Sequence, residues 1–232
     1  MRSNLKRREA PIASKFWKLA SGCFVAIAFV GCGSSEIAQI EGEEKAAPTI
    51  ENIALSPTDL ASPFALYYDD VTIRPGMPLD VALSGSLAKP DTATSLTEIP
   101  PKFSKNFKVL GWETPERTVV ALGSRDGLVL AMDTREKIKI DEARNEIEAY
   151  TVQYGKPLTI TSQHSTYAFW TDGNIRLMVL DFEDTVSGNR SMTTALGHTW
   201  CMDALRMSPE AAHNDANLAE KLLKDREASG NE

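Results

Sequence analysis

The chain begins with a basic segment followed by a short apolar segment. This order predicts that the first thirty-one residues do not belong to the folded domain. Six Lys and Arg and a single acid stand within residues 1–18, and thirteen uncharged residues follow, from Leu19 to Gly31. A basic region followed by a short apolar region is typical of an export signal. A helix needs roughly 20 apolar residues to span a bilayer, so no permanent transmembrane helix is predicted here. We therefore expect the folded part of the protein to lie after residue 31.

The uncharged stretch ends at Phe29-Val30-Gly31-Cys32. This run resembles the lipobox of bacterial lipoproteins, with Phe29 in the place of the usual leucine. The resemblance implies a signal peptide over 1–31 and a lipidated Cys32 that becomes the amino terminus, held at a bacterial membrane of the cell envelope by its acyl chains. Gly33 after the cysteine favours the outer membrane, periplasmic side, in a Gram-negative cell. The alternatives are a buried or membrane-embedded Cys32, or a plain secretory signal cleaved nearby.

The charge of the chain differs sharply between the export signal and the rest. The whole chain carries −7, from 25 Lys and Arg against 32 Asp and Glu. Residues 32–232 hold 19 Lys and Arg against 31 Asp and Glu, which is −12. A segment this acidic lacks the basic surface that binds nucleic acid, and anionic lipid surfaces repel it. We expect no nucleic-acid partner, and a membrane attachment that depends on Cys32.

Three further segments follow the signal peptide. Residues 32–66 are predicted to be a lipid-anchored acidic tether, because they hold three prolines, six acids and no apolar period long enough to bury a face. The other interpretation is an edge strand of the body over 50–55. Residues 67–207 are predicted to be a single domain, and residues 208–232 a C-terminal polar helix and tail that begins at Ser208 and Pro209.

The body is predicted to be α+β, an antiparallel sheet built from hairpins and packed with one main helix. Two pairs of β-branched or aromatic runs flank short turns and predict hairpins. They pair 117–122 with 128–132 and 167–170 with 175–180. Further strands are expected over 107–112 and within 192–205.

The main helix is predicted from Asp141, as its N-cap, to Gly155. An apolar stripe repeats at helical spacing. Its members are Ala143, Ile147, Tyr150 and Tyr154. Gly155 suits the left-handed conformation after a helix, and Pro157 cannot continue it.

Residues 141–182 resemble one unit of the β-lactamase-inhibitor-protein-like fold, which is shared by the small lipoprotein of the outer-membrane β-barrel assembly machine. Tyr154-Gly155-Lys156-Pro157 is similar in type to the Leu-Gly-x-Pro that closes a helix in that family, and Pro75-Gly76-Met77 to its Gly-Met pair. The two motifs stand about 80 residues apart, much farther than in the family. The resemblance implies a sheet face that binds protein, although a fold alone does not give a function.

Few residues suit catalysis or metal binding. Cys201 has no intramolecular disulfide partner once Cys32 carries lipid, and its bulky neighbours predict a buried structural thiol. His198 could activate Cys201 as a nucleophile, or bind a metal together with Cys201 and Asp203. An envelope enzyme, or a small-ligand or metal-binding protein, with a cleft near His198 and Cys201 is therefore the alternative function. We predict no catalytic residue, no cofactor and no metal site.

The remaining polar clusters are predicted to be solvated. They are His164, His213, the acids Asp181, Glu183 and Asp184, and the adjacent pair Asp69 and Asp70. The three acids lack the spacing of a calcium-binding EF-hand loop, and adjacent strand residues point to opposite faces of a sheet. The sequence also lacks a nucleophile elbow and a phosphate-binding glycine pattern.

These observations predict a noncatalytic envelope module that contacts other envelope proteins or the wall and is held at the membrane by its lipid. Trp112, Tyr167 and Trp170 would be its anchors if they are exposed, since Trp and Tyr dominate interface hot spots. The other interpretation of each is core packing.

Overall fold

The computed structural model describes residues 49–184 and 187–229. Its elements in chain order are α1 Pro57–Leu60, β1 Leu66–Tyr68, β2 Val71–Ile73, α2 Leu79–Ala82, a 3₁₀ turn at Gly85–Leu87, β3 Thr94–Leu96, β4 Lys108–Glu113, β5 Arg117–Ser124, β6 Gly127–Glu136, α3 Ile140–Tyr154, β7 Leu158–Thr161, β8 Ser165–Asp172, β9 Ile175–Glu183, β10 Arg190–His198, α4 Thr199–Ala204 and α5 Pro209–Ser229.

Eight strands form one antiparallel sheet in the order β3-β4-β5-β6-β10-β9-β8-β7, and β1 and β2 form a separate hairpin. Strands β3 to β6 are one meander and β7 to β10 a second, with α3 connecting them. The two meanders meet where β6 pairs with β10, from Ser191 opposite Glu136 to Gly197 opposite Leu130. The fold is therefore α+β, with an antiparallel sheet of hairpins, one main helix and a C-terminal helix, as predicted.

Both predicted hairpins are present. In β8–β9, Asp172 pairs with Ile175 across a two-residue turn in which Gly173 has φ +56°, a value that glycine adopts without strain. In β5–β6, Ser124 pairs with Gly127, which has φ +104°. A Cβ on Gly127 would lie 2.3 Å from the carbonyl oxygen of Gly76, so the turn requires glycine. The expected strands over 107–112 and within 192–205 correspond to β4 and β10.

Helix α3 begins at Ile140 with Lys139 as its N-cap, two residues before the predicted N-cap Asp141. Asp141 is therefore not the N-cap but a first-turn acid, where the helix dipole favours negative charge. The Glu142 side chain accepts the Lys139 backbone N–H at 3.2 Å, which satisfies a donor at the helix start. At the other end Gly155 has φ +82° and donates its N–H to the Thr151 carbonyl at 2.9 Å. The predicted stripe faces the sheet.

Both faces of the sheet are covered. The helix face lies under α3, α2 and the β1–β2 hairpin, and the tail face under residues 50–55, residues 99–107, α4 and α5. A strand that is buried on both sides has a continuous run of apolar residues rather than an alternation of apolar and polar residues. This is the reason for the buried apolar runs Val119–Leu122 and Leu177–Leu180.

The prediction of a tether over 32–66 is wrong for residues 49–66, because these residues pack against the body. Ile53 and Phe64 are buried, and the Ile50 N–H donates to the Lys102 carbonyl at 2.8 Å. The edge-strand interpretation also differs from the structure, since Ile50 makes an isolated parallel bridge with Phe103. Ile53 packs on the tail face and Phe64 on the helix face, although the apolar residues of this segment follow no regular period. Residues 32–48, like the signal peptide over 1–31, lie outside the described residues.

The tail helix α5 begins as predicted. The Ser208 hydroxyl accepts the Ala211 N–H at 3.1 Å, and Ala212 is buried in the tail face. Its first turns therefore dock on the sheet, whereas its predicted stop at Gly230 lies outside the described residues. Among the described helices, none has the length and apolarity needed to cross a membrane.

Candidate functional site

The three aromatic residues predicted as anchors are core residues. Trp112 is 3% exposed, and Tyr167 and Trp170 are 4% exposed. The indole N–H of Trp112 donates to the Leu87 carbonyl and that of Trp170 to the Gly155 carbonyl, both at 2.7 Å. These bonds satisfy the polar edge of each ring inside the protein. The anchor interpretation is wrong for all three, and core packing is confirmed.

Cys201 is fully buried in α4, on the tail face. Burial raises the pKa of its thiol well above the usual value, so the nucleophilic thiolate is not formed near neutral pH. The prediction of a buried structural thiol is confirmed.

His198 ends β10 and caps α4. Its Nδ1 accepts the Trp200 backbone N–H at 3.3 Å, and an accepting Nδ1 means that the neutral ring carries its proton on Nε2. Burial lowers the pKa of His198, against the opposing effect of the negative charges of Asp59 and Asp203. The ring is therefore neutral at pH 7 and already engaged in holding the start of the helix.

His164 lies at the opposite end of the sheet from His198. It precedes β8, where its carbonyl accepts the Glu183 N–H at 2.8 Å, whereas His198 pairs with Ile175 at the far end of β9. The sheet register therefore separates the two histidines by the length of a strand, and they cannot share a site.

The acids near His164 bond to groups of the protein. Asp181 accepts two bonds from Arg190, from Nε at 2.6 Å and from Nη2 at 3.1 Å, and Arg190 also pairs with Glu183 at 3.7 Å. The Ser187 hydroxyl donates to Asp184 at 2.6 Å. Across residues 49–184 and 187–229 no three His, Cys, Asp or Glu side chains converge to hold a metal.

Asp69 and Asp70 form the turn between β1 and β2, not part of a strand. Asp70 accepts the Ser86 N–H at 2.7 and 2.8 Å, and these bonds lower the pKa of its carboxyl. Asp70 therefore fastens the hairpin to the 3₁₀ turn.

A cleft of about 270 Å³ lies beside His198, where the residue's strand meets α4. Its lining residues are Asn52, Ile53, Ala54, Asn174, His198 and Trp200. Trp200 is 67% exposed, although the next two residues of the same helix, Cys201 and Met202, are fully buried. The structure thus has a cleft near His198, as the alternative function requires. Trp200 lines this cleft, whereas Cys201 is buried.

Hydrogen bonds hold the walls of this cleft in position. The Thr199 N–H donates to the Asn174 carbonyl at 2.7 Å and ties the start of α4 to the β8–β9 turn. The Ser124 hydroxyl donates to the Ile53 carbonyl at 2.7 Å and fixes the opposite wall. A cleft whose walls are already ordered loses less entropy when a ligand binds.

Asp59 stands close behind His198 and Asn174. Burial works to raise the pKa of its carboxyl, but hydrogen bonds from Ser56 and Asn174 and the nearby His198 outweigh burial and lower it. Its oxygen accepts the Ser56 N–H at 2.8 Å, and its own N–H donates to the Ser56 hydroxyl at 3.1 Å. The carboxylate is thus charged at neutral pH and bonded within the protein.

Sequence reasoning named Trp200 only as one of the bulky neighbours of Cys201 and did not identify Asn52 or Asn174 as site residues. A helix of six residues is too short to show a periodicity that separates exposed from buried positions. The available signal was the Asp-Gly turn, which predicted that Asn174 stands at the tip of a hairpin.

A second polar group lies inside the helix face. Asp133 is 1% exposed and accepts two bonds from Arg117, at 2.8 and 3.1 Å. Arg135 lies 3.5 Å from Asp133 and 3.2 Å from Glu146 of α3. Two positive and two negative side chains thus neutralise one another, and the cluster joins α3 to the sheet rather than facing a ligand.

Comparisons with known proteins assign this chain to no family. No protein family matches its sequence, and no curated protein resembles it. Among solved structures, a cysteine-rich secretory protein from Staphylococcus aureus is 13% identical over 42% of this chain and 38% of its own, with a TM-score of 0.25. The chain thus spans well under half of that protein, and the overlap is too weak to relate the two folds.

Proposed function

We propose that the protein is a noncatalytic binding module of a bacterial cell envelope, anchored to the membrane through lipid on Cys32, with its contact surface around Trp200. The observation that carries the proposal is the exposure of Trp200 beside a preformed cleft. Trp is enriched among the residues that carry most of the binding energy of an interface. Other envelope components, proteins or the wall, are the partners that such a location provides.

The states of the reactive groups support a noncatalytic role. The Cys201 thiol is buried and protonated, and His198 serves as a helix cap. His164 stands at the other end of the sheet, with acids that bond to Arg190 and Ser187. A nucleophile, a base and an orienting group within hydrogen-bond reach of one another, which covalent catalysis needs, are not found among these described residues.

The anchor is supported by the order of basic, apolar and lipobox-like residues before Cys32. Metabolic labelling with an alkyne-bearing fatty acid tests it on the full chain. We expect label on the wild type and on Cys23→Ala, and none on Cys32→Ala. Label that survives Cys32→Ala, or that is lost in Cys23→Ala alone, would contradict the anchor.

The contact surface can be tested by photo-crosslinking from the lipidated chain in its native envelope. A photoreactive residue replaces Asp172, which is exposed two positions before Asn174, and the matched control replaces His213, exposed on α5. We expect an adduct of defined mass from position 172 that is absent at position 213 and is lost when Trp200→Ala is added. Equal adducts at both positions, or none from position 172, would place the contact elsewhere or nowhere.

A further inference from the structure

The cleft beside Trp200 presents neutral chemistry to a ligand. Asn52 and Asn174 each carry an amide that both donates and accepts hydrogen bonds, and both residues are exposed. The Asn174 amide donates one hydrogen bond to Asp59, which leaves its oxygen and its second N–H for a ligand. Trp200 adds a broad apolar ring, and Ile53 and Ala54 add an apolar wall. These groups suit a molecule with hydroxyl or amide groups around an apolar ring face.

The charges around the cleft disfavour an anion. Asp59 and Asp203 are the groups whose negative charge acts on His198, and His198 itself is neutral at pH 7 because burial lowers its pKa. A cation gains little either, because the Asp59 carboxylate is buried and bonded to Ser56, and Asp203 pairs with Arg176 at 2.5 Å. Entry into the cleft therefore costs a neutral ligand less free energy than it costs an ion.

The size of the cleft limits the ligand to about one ring. Sites for drug-sized ligands enclose about 300–1,000 Å³, and this cleft, at about 270 Å³, is smaller and open to solvent on one side. An open cleft suits one unit of a longer chain that continues into solvent. Hydrogen bonds from the Thr199 backbone N–H and the Ser124 hydroxyl hold it in shape without a ligand.

We propose that this cleft binds one ring of a neutral oligosaccharide, with the C–H face of the sugar stacked on Trp200 and its hydroxyl or acetamido groups bonded by Asn52 and Asn174. This inference rests on the proposed function, whose contact surface it narrows to a glycan. Binding forms and breaks no covalent bond. Trp200 supplies most of the affinity, and the two amides determine which sugar is held.

Calorimetric titration of the full acylated chain, in a detergent without a sugar headgroup, tests the inference with cellotetraose and chitotetraose as probes. We expect one of these neutral oligosaccharides to bind and to quench Trp fluorescence. Trp200→Ala is expected to weaken binding at least about tenfold, and Trp200→Phe to recover part of it because a stacking face returns. Asn52→Ala and Asn174→Ala are each expected to cost about threefold to tenfold.

Leu218→Ala, on exposed apolar surface of α5, is the matched control and should bind as the wild type does. Trp200→Ala should keep the wild-type melting curve, which separates lost contact from lost fold. Binding of tetramethylammonium or of an oligogalacturonate in place of the neutral sugars, or equal sugar binding by Trp200→Ala, would overturn the inference.

The two proposals fail in different ways. If neither sugar binds but position 172 crosslinks to a protein in a Trp200-dependent manner, the contact surface stands and its partner is a protein. If neither sugar binds and no Trp200-dependent adduct forms, both proposals are wrong.

Discussion

The two faces of the sheet bury polar groups differently. On the helix face, the Asp133 carboxylate lies inside the core, held by Arg117 and close to Arg135. On the tail face, the ion pairs Arg176–Asp203 and Arg206–Asp215 each keep one partner about half exposed, and the cluster around Cys201 is apolar. Both faces have an apolar core, but the helix face encloses a cluster of paired charges, whereas the ion pairs of the tail face remain partly exposed.

This difference follows from what covers each face. Helix α3 carries Glu146 towards the sheet, and the ring faces of Tyr68 and Trp112 lie 5.9 and 5.8 Å from the Arg117 guanidinium. Burial and the charge of Asp133 raise the pKa of Tyr68 well above its usual value, so its hydroxyl stays neutral. The tail face is covered by irregular chain, α4 and α5, which bring apolar side chains, among them Phe103 and Phe107, and a thiol.

The largest effect is expected from Trp112→Ala in the helix face. Removing a buried indole leaves a cavity and an unpaired Leu87 carbonyl, and we expect a loss of about 3–5 kcal/mol in unfolding free energy. Urea unfolding followed by circular dichroism measures it. Trp200→Ala, at an exposed position, should stay within about 0.5 kcal/mol. Similar losses of unfolding free energy for the two variants would show that burial does not determine how much each Trp contributes to stability.

Asp133→Asn tests the paired charges directly. The amide fills the same volume but leaves Arg117 and Arg135 without their shared countercharge, and we expect a loss of about 3 kcal/mol, as for one broken buried ion pair. Glu116→Gln breaks an exposed pair with Lys137 and should cost about 0–1 kcal/mol. If Asp133→Asn left the unfolding free energy unchanged, the hydrogen bonds, and not the charge, would join α3 to the sheet.

Cys201→Ser makes the matching test on the tail face. It puts a hydroxyl into the apolar cluster, and we expect a loss of about 1–3 kcal/mol in unfolding free energy. Peptide mapping after iodoacetamide should find Cys201 of the wild type unmodified until urea unfolds the protein. Rapid labelling of the native protein would show that the tail face opens and is less closely packed than the helix face.

The smallest effect is a pH dependence at the boundary of the two faces. Burial lowers the pKa of His198 in the folded state from its usual 6.5, so the unfolded chain binds the proton more tightly. Stability should fall as pH drops below about 6.5 and level off below the folded pKa. His198→Asn keeps a capping oxygen and should remove this component when the two unfolding curves are compared between pH 7.5 and 5. Identical pH profiles would contradict the shift.

The local elements of the fold could be predicted from the sequence. The β5–β6 and β8–β9 hairpins, α3 and the start of α5 each depend on neighbouring residues, such as Gly173 in a turn or Ser208 at a cap. The pairing of β6 with β10 joins residues about 60 positions apart, and no local pattern encodes it. The docking of residues 49–66 escaped prediction because Ile53 and Phe64 follow no regular period.

A cleft near His198 was among the predicted alternatives, but the exposure of Trp200 beside it escaped prediction for a related reason. Aromatic residues can be core or surface. The strand that holds Tyr167 and Trp170 is buried on both sides, and Trp112 is buried in β4, a strand that has both buried and exposed residues. The residue types alone do not show which side of a strand is covered. Trp200 is exposed because α4 turns Cys201 and Met202 into the core, and which side of so short a helix is covered depends on tertiary packing. Cys201 could be assigned because a lone cysteine among bulky residues has few other uses.

The seam between β6 and β10 has a consequence for the folding pathway. Each meander is built from neighbours in the chain and can form early, whereas the seam must close a loop of about 60 residues, which places it late in folding. Until then both strands expose unpaired backbone edges. A second copy of the chain can supply the missing partner, so the expected misfolded product is a dimer that has exchanged meanders, favoured by concentration and by any substitution that slows closure of the seam.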